Sequence, residues 1–275
     1  MTGGAGRIGR AIRREAMVAG FETVGVDLIH AEGTITADIC DTDRLTRLFE
    51  GAHAVVHCAG LHAPHVGREP DDAFHSINVE GTRSVLRAIE RAGVTHLVLS
   101  SSTAVLGGGS DDGEPARWID DGAEPVARTI YHETKLEAEA MVRDATGSAL
   151  RASIVRLGRC FPEEPRLVAF YRLCRGISER DAAVAHLAAL DAVGEAREPL
   201  IACASTPFRP EDAAELGVDA EAVMRVRCPE IVDAFERRGW TVPRRTDRVY
   251  DSTGARTQWA WAPKDDGRMA INVFA

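Results

Sequence analysis

Lysine is nearly missing from this chain of 275 residues: of 33 basic side chains only Lys135 and Lys264 are lysines. Arginine fills every other cationic position, so each retained lysine raises the question of what a guanidinium fork could not do there. Net positive charge is missing too. Asp and Glu outnumber Lys and Arg by 42 to 33, a formal charge of -9, which argues against nucleic-acid or anionic-membrane binding because phosphate recognition needs a basic face. No apolar run reaches the roughly 18 residues of a membrane span, and no basic stretch leads into an apolar one in the manner of a signal peptide. The six cysteines (Cys40, Cys58, Cys160, Cys174, Cys203 and Cys228) form no CxxC pair. They read as buried thiols of a reducing cytoplasm, not as a disulfide frame or zinc site.

What remains is an ordinary globular balance, 45% hydrophobic and 27% charged, over a length that predicts one to two domains at roughly 150 residues each. Short β-branched runs alternate with helix-period segments through the first half, the signature of a parallel sheet covered by helices, an α/β doubly wound fold. Strands are expected at Glu22–Asp27, Thr34–Asp38, Ala54–Cys58, His96–Ser100 and Ala152–Leu157. The segment Asn78–Ala92 carries Val79, Thr82, Val85, Leu86 and Ile89 on one helical face and stops at Gly93. A second helix, His132–Ala145, follows a polar, Gly-rich loop at Gly107–Glu124. After about residue 158 Pro162 and Pro165 break the pattern. Helices are then expected at Arg180–Leu190, Pro210–Leu216 and Cys228–Arg238, with a strand at Leu200–Ser205.

The chain opens on Thr2-Gly3-Gly4-Ala5-Gly6-Arg7-Ile8-Gly9. Glycines at 3, 6 and 9 permit a tight turn, close approach to a pyrophosphate and close helix packing, and the helix N-terminus beyond offers free N–H groups to phosphate. A plain structural turn would look the same. Context is supplied by Asp27, at the end of the next strand, where a carboxylate can accept bonds from ribose hydroxyls and would repel a 2′-phosphate. NAD is thereby favoured, while Arg7 leaves NADP open. Tyr131 and Lys135 form a YxxxK pair, which three tyrosines and two lysines would produce by chance about 2% of the time. Four residues apart on a helix, they share a face. An ammonium beside a phenol favours the phenolate, and a compact ammonium can also bond a ribose hydroxyl. Of the histidines crowded between His53 and His75, His62 and His65 sit in a loop that could touch substrate, and no acid or thiol stands at metal-ligand spacing.

These motifs, in this order, resemble the extended short-chain dehydrogenase/reductase superfamily (the NAD-dependent epimerase/dehydratase family). Asp38-Ile39 then falls where the family frames the adenine, and His57-Cys58-Ala59-Gly60 resembles the strand end beneath the cofactor. Asn78-Val79-Glu80-Gly81-Thr82 resembles the NVxGT helix start, with Asn78 as helix cap and strand brace. Ser100 to Gly107 resembles SSSxxVYG, which implies Ser102 as the hydroxyl that holds the substrate oxygen. The segment RLGRCFPEEP resembles the substrate loop of hexuronate dehydrogenases, with Arg159 at a position that meets substrate. Thr103 and Ala104 stand where a 4,6-dehydratase has an Asp-Glu pair. Family members also carry an apolar strand ahead of the glycine turn, and here only Met1 precedes it. A truncated first strand is therefore expected, with unpaired backbone on its two neighbours and a cost in stability and NAD affinity.

The resemblance implies residues 1–158 as an NAD-binding Rossmann-like domain and 159–275 as a smaller substrate region. It implies a cytoplasmic oxidoreductase passing hydride between a secondary alcohol of a sugar or sugar acid and nicotinamide, compatible with a homodimer. A nucleotide-sugar epimerase that keeps its NAD bound is the enzyme alternative. A redox-sensing NAD-binding regulator is the non-enzymatic one.

Overall fold

The computed structural model describes residues 1–192, 198–267 and 271. Helix α1 (Arg7–Val18) leaves the glycine turn, followed by β1 (Gly25–Asp27), β2 (Thr34–Thr36), α2 (Thr42–Phe49) and β3 (Ala54–His57). After α3 (Asp71–Phe74) the backbone makes a π-helical stretch, His75–Glu80, that runs into α4 (Gly81–Ala92), and Gly93 ends that helix at φ 70°. Then come β4 (His96–Ser102), β5 (Arg117–Ile119), α5 (Ile130–Ala145) and β6 (Arg151–Leu157). The remaining elements are α6 (Pro165–Cys174), α7 (Glu179–Asp191), β7 (Leu200–Ala202), α8 (Ala213–Leu216), α9 (Ala220–Arg227), α10 (Pro229–Arg237), β8 (Arg248–Tyr250) and α11 (Thr253–Gln258). No helix among the described residues is long and apolar enough to cross a membrane.

Strand pairing is parallel throughout, β2 with β1 and β3-β4-β6-β7 as a run of four. Thr2 joins the two groups by bridging to both Val26 and His57. Where the sequence predicted unpaired neighbours, the Met1 carbonyl accepts from Val26 N–H at 2.7 Å and Thr2 N–H donates to Val56 O at 3.0 Å. Alternation along β4 distributes the strand between two layers. Leu97 and Leu99 meet Leu45, Val85, Ile89, Ala138 and Val142 of α2, α4 and α5, while Val98 meets Ile12 of α1 and the alanines of α7. Strand β7 and helices α7 and α11 lie beyond residue 158 in the chain, yet they extend and cover this same sheet. A third cluster around Phe170, Met224, Ile231 and Phe235 binds α6, α9 and α10 together.

Several expectations need correction. The polar segment Gly107–Glu124 contains β5, which pairs in parallel with β8 from the turn-rich end of the chain. Neither three-residue strand shows a period, and each exists because the other lies beside it. Asn78 is no helix cap, since it sits inside the π-helical stretch. Only Cys174, Cys203 and Cys228 are buried, whereas Cys58 and Cys160 are half-buried and Cys40 is exposed.

Candidate active site

A cleft of about 410 Å³ opens at the C-terminal ends of β3, β4 and β6, the edge where parallel sheets place their ligand crevices. Its floor is the glycine turn. Gly3 holds φ +69°, and a Cβ there would stand 2.7 Å from Ala59 N, while a Cβ on Gly9 would run into the Gly3 carbonyl oxygen. The turn is therefore pressed between the end of β3 and the start of α1. Gly3, Gly6, Arg7, Ile8 and Gly9 all line it. Beneath the turn the hydroxyl of Thr2 meets His57 Nδ1 at 2.6 Å, and His57 Nε2 meets the Thr82 hydroxyl at 3.1 Å. Burial, with smaller effects of Lys135 and the chain's amino group, pushes His57 down to about 3, so the ring is neutral. At the end of β1, Asp27 accepts from Ala5 N–H at 2.9 Å and from Ile29 N–H at 3.1 Å.

The groups expected to react come from β4 and α5. Thr129 caps α5 by accepting from His132 N–H, which starts the helix just before Tyr131 and lays Tyr131, Lys135 and Glu139 along one buried face. Ser102 and Tyr131 both line the cleft, and the Ser102 hydroxyl stands near enough to the phenol to favour its ionised form. Ser102 Oγ also accepts from Ala104 N–H at 3.1 Å. Ser101, on the opposite face of the strand, donates to Glu139 Oε1 at 2.5 Å. Lys135 Nζ donates to the Ser100 carbonyl at 2.7 Å. The expectation that Lys135 draws the phenol toward neutrality is not met. Burial raises Tyr131 above its ordinary value, the Ser102 hydroxyl opposes that rise, and the Glu139 charge adds to it. The ammonium is engaged with a main-chain carbonyl instead.

Asn78 acts as the expected brace. Its Oδ1 accepts from Leu61 N–H at 2.8 Å, and its Nδ2 donates to Leu61 O and to Thr134 Oγ1, both at 3.1 Å. The loop after β3 is thus tied to the helix that carries Tyr131. Gly60 and His62 line the cleft, and His62 bonds the Gly60 carbonyl at 3.1 Å. Asp27, Asp38, Ile39, Ala59, Asn78 and His65 are not among the residues that line it. Asp38 accepts from Cys40 N–H, and Ile39 is buried against Gly81.

Of the far wall only Arg159 was marked in the sequence, through the family resemblance. Arg159, Arg175, Arg248 and Tyr250 converge there from three separate segments. Arg175 and Arg248 share Asp247 at 2.9 and 2.6 Å, and Arg159 is held by Glu163 through two bonds of 2.8 and 2.6 Å. Burial works against ionising Asp247, but hydrogen bonding to Arg248 and the charges of Arg248 and Arg175 hold it below the ordinary carboxylate range. Arg7 reaches across the cleft to the Cys160 carbonyl and to Glu179 at 3.2 Å, so it is committed to the substrate loop and away from Asp27. In a chain where arginine is the default cation, Arg175 and Arg248 did not stand out. Cys58 and Cys160 also line the cleft, both pushed up to about 11 by burial.

Comparison with known proteins is consistent with this geometry. The model of the NAD dependent epimerase/dehydratase family matches residues 1–169. Human 3 beta-hydroxysteroid dehydrogenase type 7 is 33% identical over 121 residues, which cover 44% of this chain and 32% of that protein. The chain spans between about a quarter and a half of the length of the curated relatives it matches. Among solved structures, UDP-glucose-4-epimerase from Stenotrophomonas maltophila with bound NAD superposes with TM-score 0.72 at 23% identity, covering 98% of this chain and 94% of that one. A mutated uronate dehydrogenase superposes with TM-score 0.70 at 17% identity, covering 99% and 83%. At such identities the likeness to the solved structures is one of fold.

Proposed function

The chain belongs to the NAD dependent epimerase/dehydratase family, and from that premise we propose that it is an NAD-dependent oxidoreductase acting on a secondary alcohol of a sugar or sugar acid. The observation that carries this reading is that Ser102, Tyr131 and Lys135 share one cleft with the glycine turn. The residues fit the dinucleotide. A turn whose Gly3 and Gly9 have no room for a Cβ leaves bare amides at a helix N-terminus for the pyrophosphate. Asp27, with two acceptor oxygens at the end of β1, suits the adenosine ribose and favours NAD over NADP. When bound, NAD supplies the hydride acceptor.

The chain's own residues do the rest. Ser102 Oγ holds the substrate oxygen beside Tyr131, and the phenolic oxygen of Tyr131 exchanges the alcohol proton. Lys135, fixed on the Ser100 carbonyl, offers its remaining N–H bonds to the nicotinamide ribose. Because burial keeps the phenol protonated, the resting site is set to donate a proton to a carbonyl. Alcohol oxidation needs the phenolate, so its rate should rise toward alkaline pH. The guanidinium wall supports an anionic substrate, since Arg175 and Arg248 share a single carboxylate and leave a net positive charge there. A sugar acid fits that wall better than a neutral sugar. Residues 1–158 then serve the cofactor and 159–275 the substrate, as roles within one sheet-centred body. A cytoplasmic location and a homodimer belong to the same proposal.

A panel of hexuronic acids, neutral hexoses and UDP-sugars followed at 340 nm with NAD tests it. Net NADH with a hexuronic acid is the expected result. Conversion of a UDP-sugar without net NADH would select epimerisation, and no turnover of any of the three would sink the reading.

A further inference from the structure

Directly behind the reacting pair lies an ion pair that the chemistry above does not use. Among the described residues Glu139 and Arg156 form the most deeply buried ion pair, with side chains 0% and 4% exposed. Arg156 Nε and Nη2 reach the carboxylate at 3.2 and 2.8 Å, and Ser101 Oγ adds a bond of 2.5 Å. One carboxylate thereby gathers β4, α5 and β6. Tyr131, Lys135 and Glu139 follow one another at intervals of four, so the carboxylate stands one turn beyond the ammonium on the same buried face.

We propose that Glu139 is a positioning residue for Lys135 and Tyr131: clamped by Arg156 and Ser101, it fixes the working face of α5 against the sheet and supplies the negative charge that a buried ammonium requires. Enclosing a cation this deeply is costly unless an opposite charge is near. Lys135 is lowered by burial, and Glu139 is the largest influence raising it, followed by Cys58. The other groups around the ammonium do not replace that carboxylate. The loop end of β3 presents the Cys58 thiol and neutral His57, β4 presents the Ser100 carbonyl, α7 presents His186, pushed down to about 4 chiefly by burial, and Arg156 of β6 is itself a cation. A neutral pair at this position would fix the helix equally well, so charge and shape can be separated by experiment. The inference rests on Lys135 and Tyr131 being the reacting pair.

Because the chain has only two lysines, protein labelled with [13Cε]lysine shows two titrating signals, Lys264 serving as internal reference and Lys135→Arg giving the assignment. Glu139→Gln should lower the Lys135 midpoint by about one pH unit, while Glu139→Asp, which keeps the charge, should stay within about 0.3 unit. The double variant Glu139→Gln/Arg156→Met should fall between Glu139→Gln and wild type, because it removes the stranded cation as well. It also strands no guanidinium beside the helix, so it remains readable if the single variant does not fold. A Lys135 midpoint in Glu139→Gln and in the double variant within about 0.3 unit of wild type would overturn the proposal. The titration needs no substrate, so its outcome is independent of whether turnover is found. Full turnover in Tyr131→Phe would remove the catalytic reading and leave the titration result standing.

Discussion

The two ends of the cleft are built from opposite materials. At the end proposed for the cofactor much of the surface is main chain, a turn of glycines beside the side chains of Arg7 and Ile8. At the end proposed for substrate the surface is the tips of long side chains, Arg159 and Arg175 from two connecting segments and Arg248 and Tyr250 from strand β8. Backbone recognition needs atoms within a few tenths of an ångström of one place, so it is encoded by a short run of residues with a fixed pattern. Side-chain recognition tolerates many routes to the same point. The first kind is hard to move and easy to read, and the second is the reverse.

The largest expected effect lies between the two ends. Tyr131→Phe removes the transferable proton and should cut turnover by at least about 100-fold, with NAD affinity, measured by titration of intrinsic fluorescence, left close to wild type. Gly9→Ala strikes the cofactor end through shape alone, because the new methyl meets the Gly3 carbonyl. A stability loss of about 1–3 kcal/mol is expected, accompanied by weaker NAD binding and read by denaturation with and without NAD. An unchanged variant would mean the turn is more yielding than its geometry implies. Arg175→Met is the matching change at the other end. It should raise KM for a hexuronic acid about tenfold, the size of one lost charge-assisted bond, while a neutral hexose is unaffected. An equal effect on both substrates would erase the proposed division of labour.

Acid should part the two ends without any mutation. Burial holds His57, under the glycine turn, at about 3 in the folded protein against 6.5 in the unfolded chain. The folded value is depressed, so its contribution is complete above pH 6.5 and declines as pH falls from there toward 3. Asp247, held below the usual carboxylate range, keeps its arginines down to lower pH than an ordinary aspartate would. Hydrogen exchange at pH 5 should therefore show residues 2–9 losing protection before residues 247–250. The reverse order would break the comparison. The smallest effect is expected from Asp27→Ala, a few-fold shift in the ratio of Michaelis constants toward NADP once the carboxylate that opposes a 2′-phosphate is gone.

The same contrast explains what could be read in advance. Gly3, Gly6, Gly9, Tyr131 and Lys135 were legible because spacing itself carries their chemistry. A turn closes within a few residues, and a helix brings positions four apart onto one face. The core strands were legible for a related reason, since runs such as Ala54–Cys58 and His96–Ser100 announce burial on both faces. Strands β5 and β8 were not legible, because three residues show no period and each is a strand only beside the other. The Arg175–Asp247–Arg248 group joins residues some seventy positions apart, and nothing local marks them in a chain whose cations are almost all arginine. Lys135 shows the limit from the other side. The sequence alone determined that it shares a face with Tyr131, but only tertiary structure decided what its ammonium does, by placing the Ser100 carbonyl 2.7 Å away and a clamped carboxylate one turn behind. Periodicity is a property of one segment of chain, whereas the charge a buried group carries depends on every element folded around it.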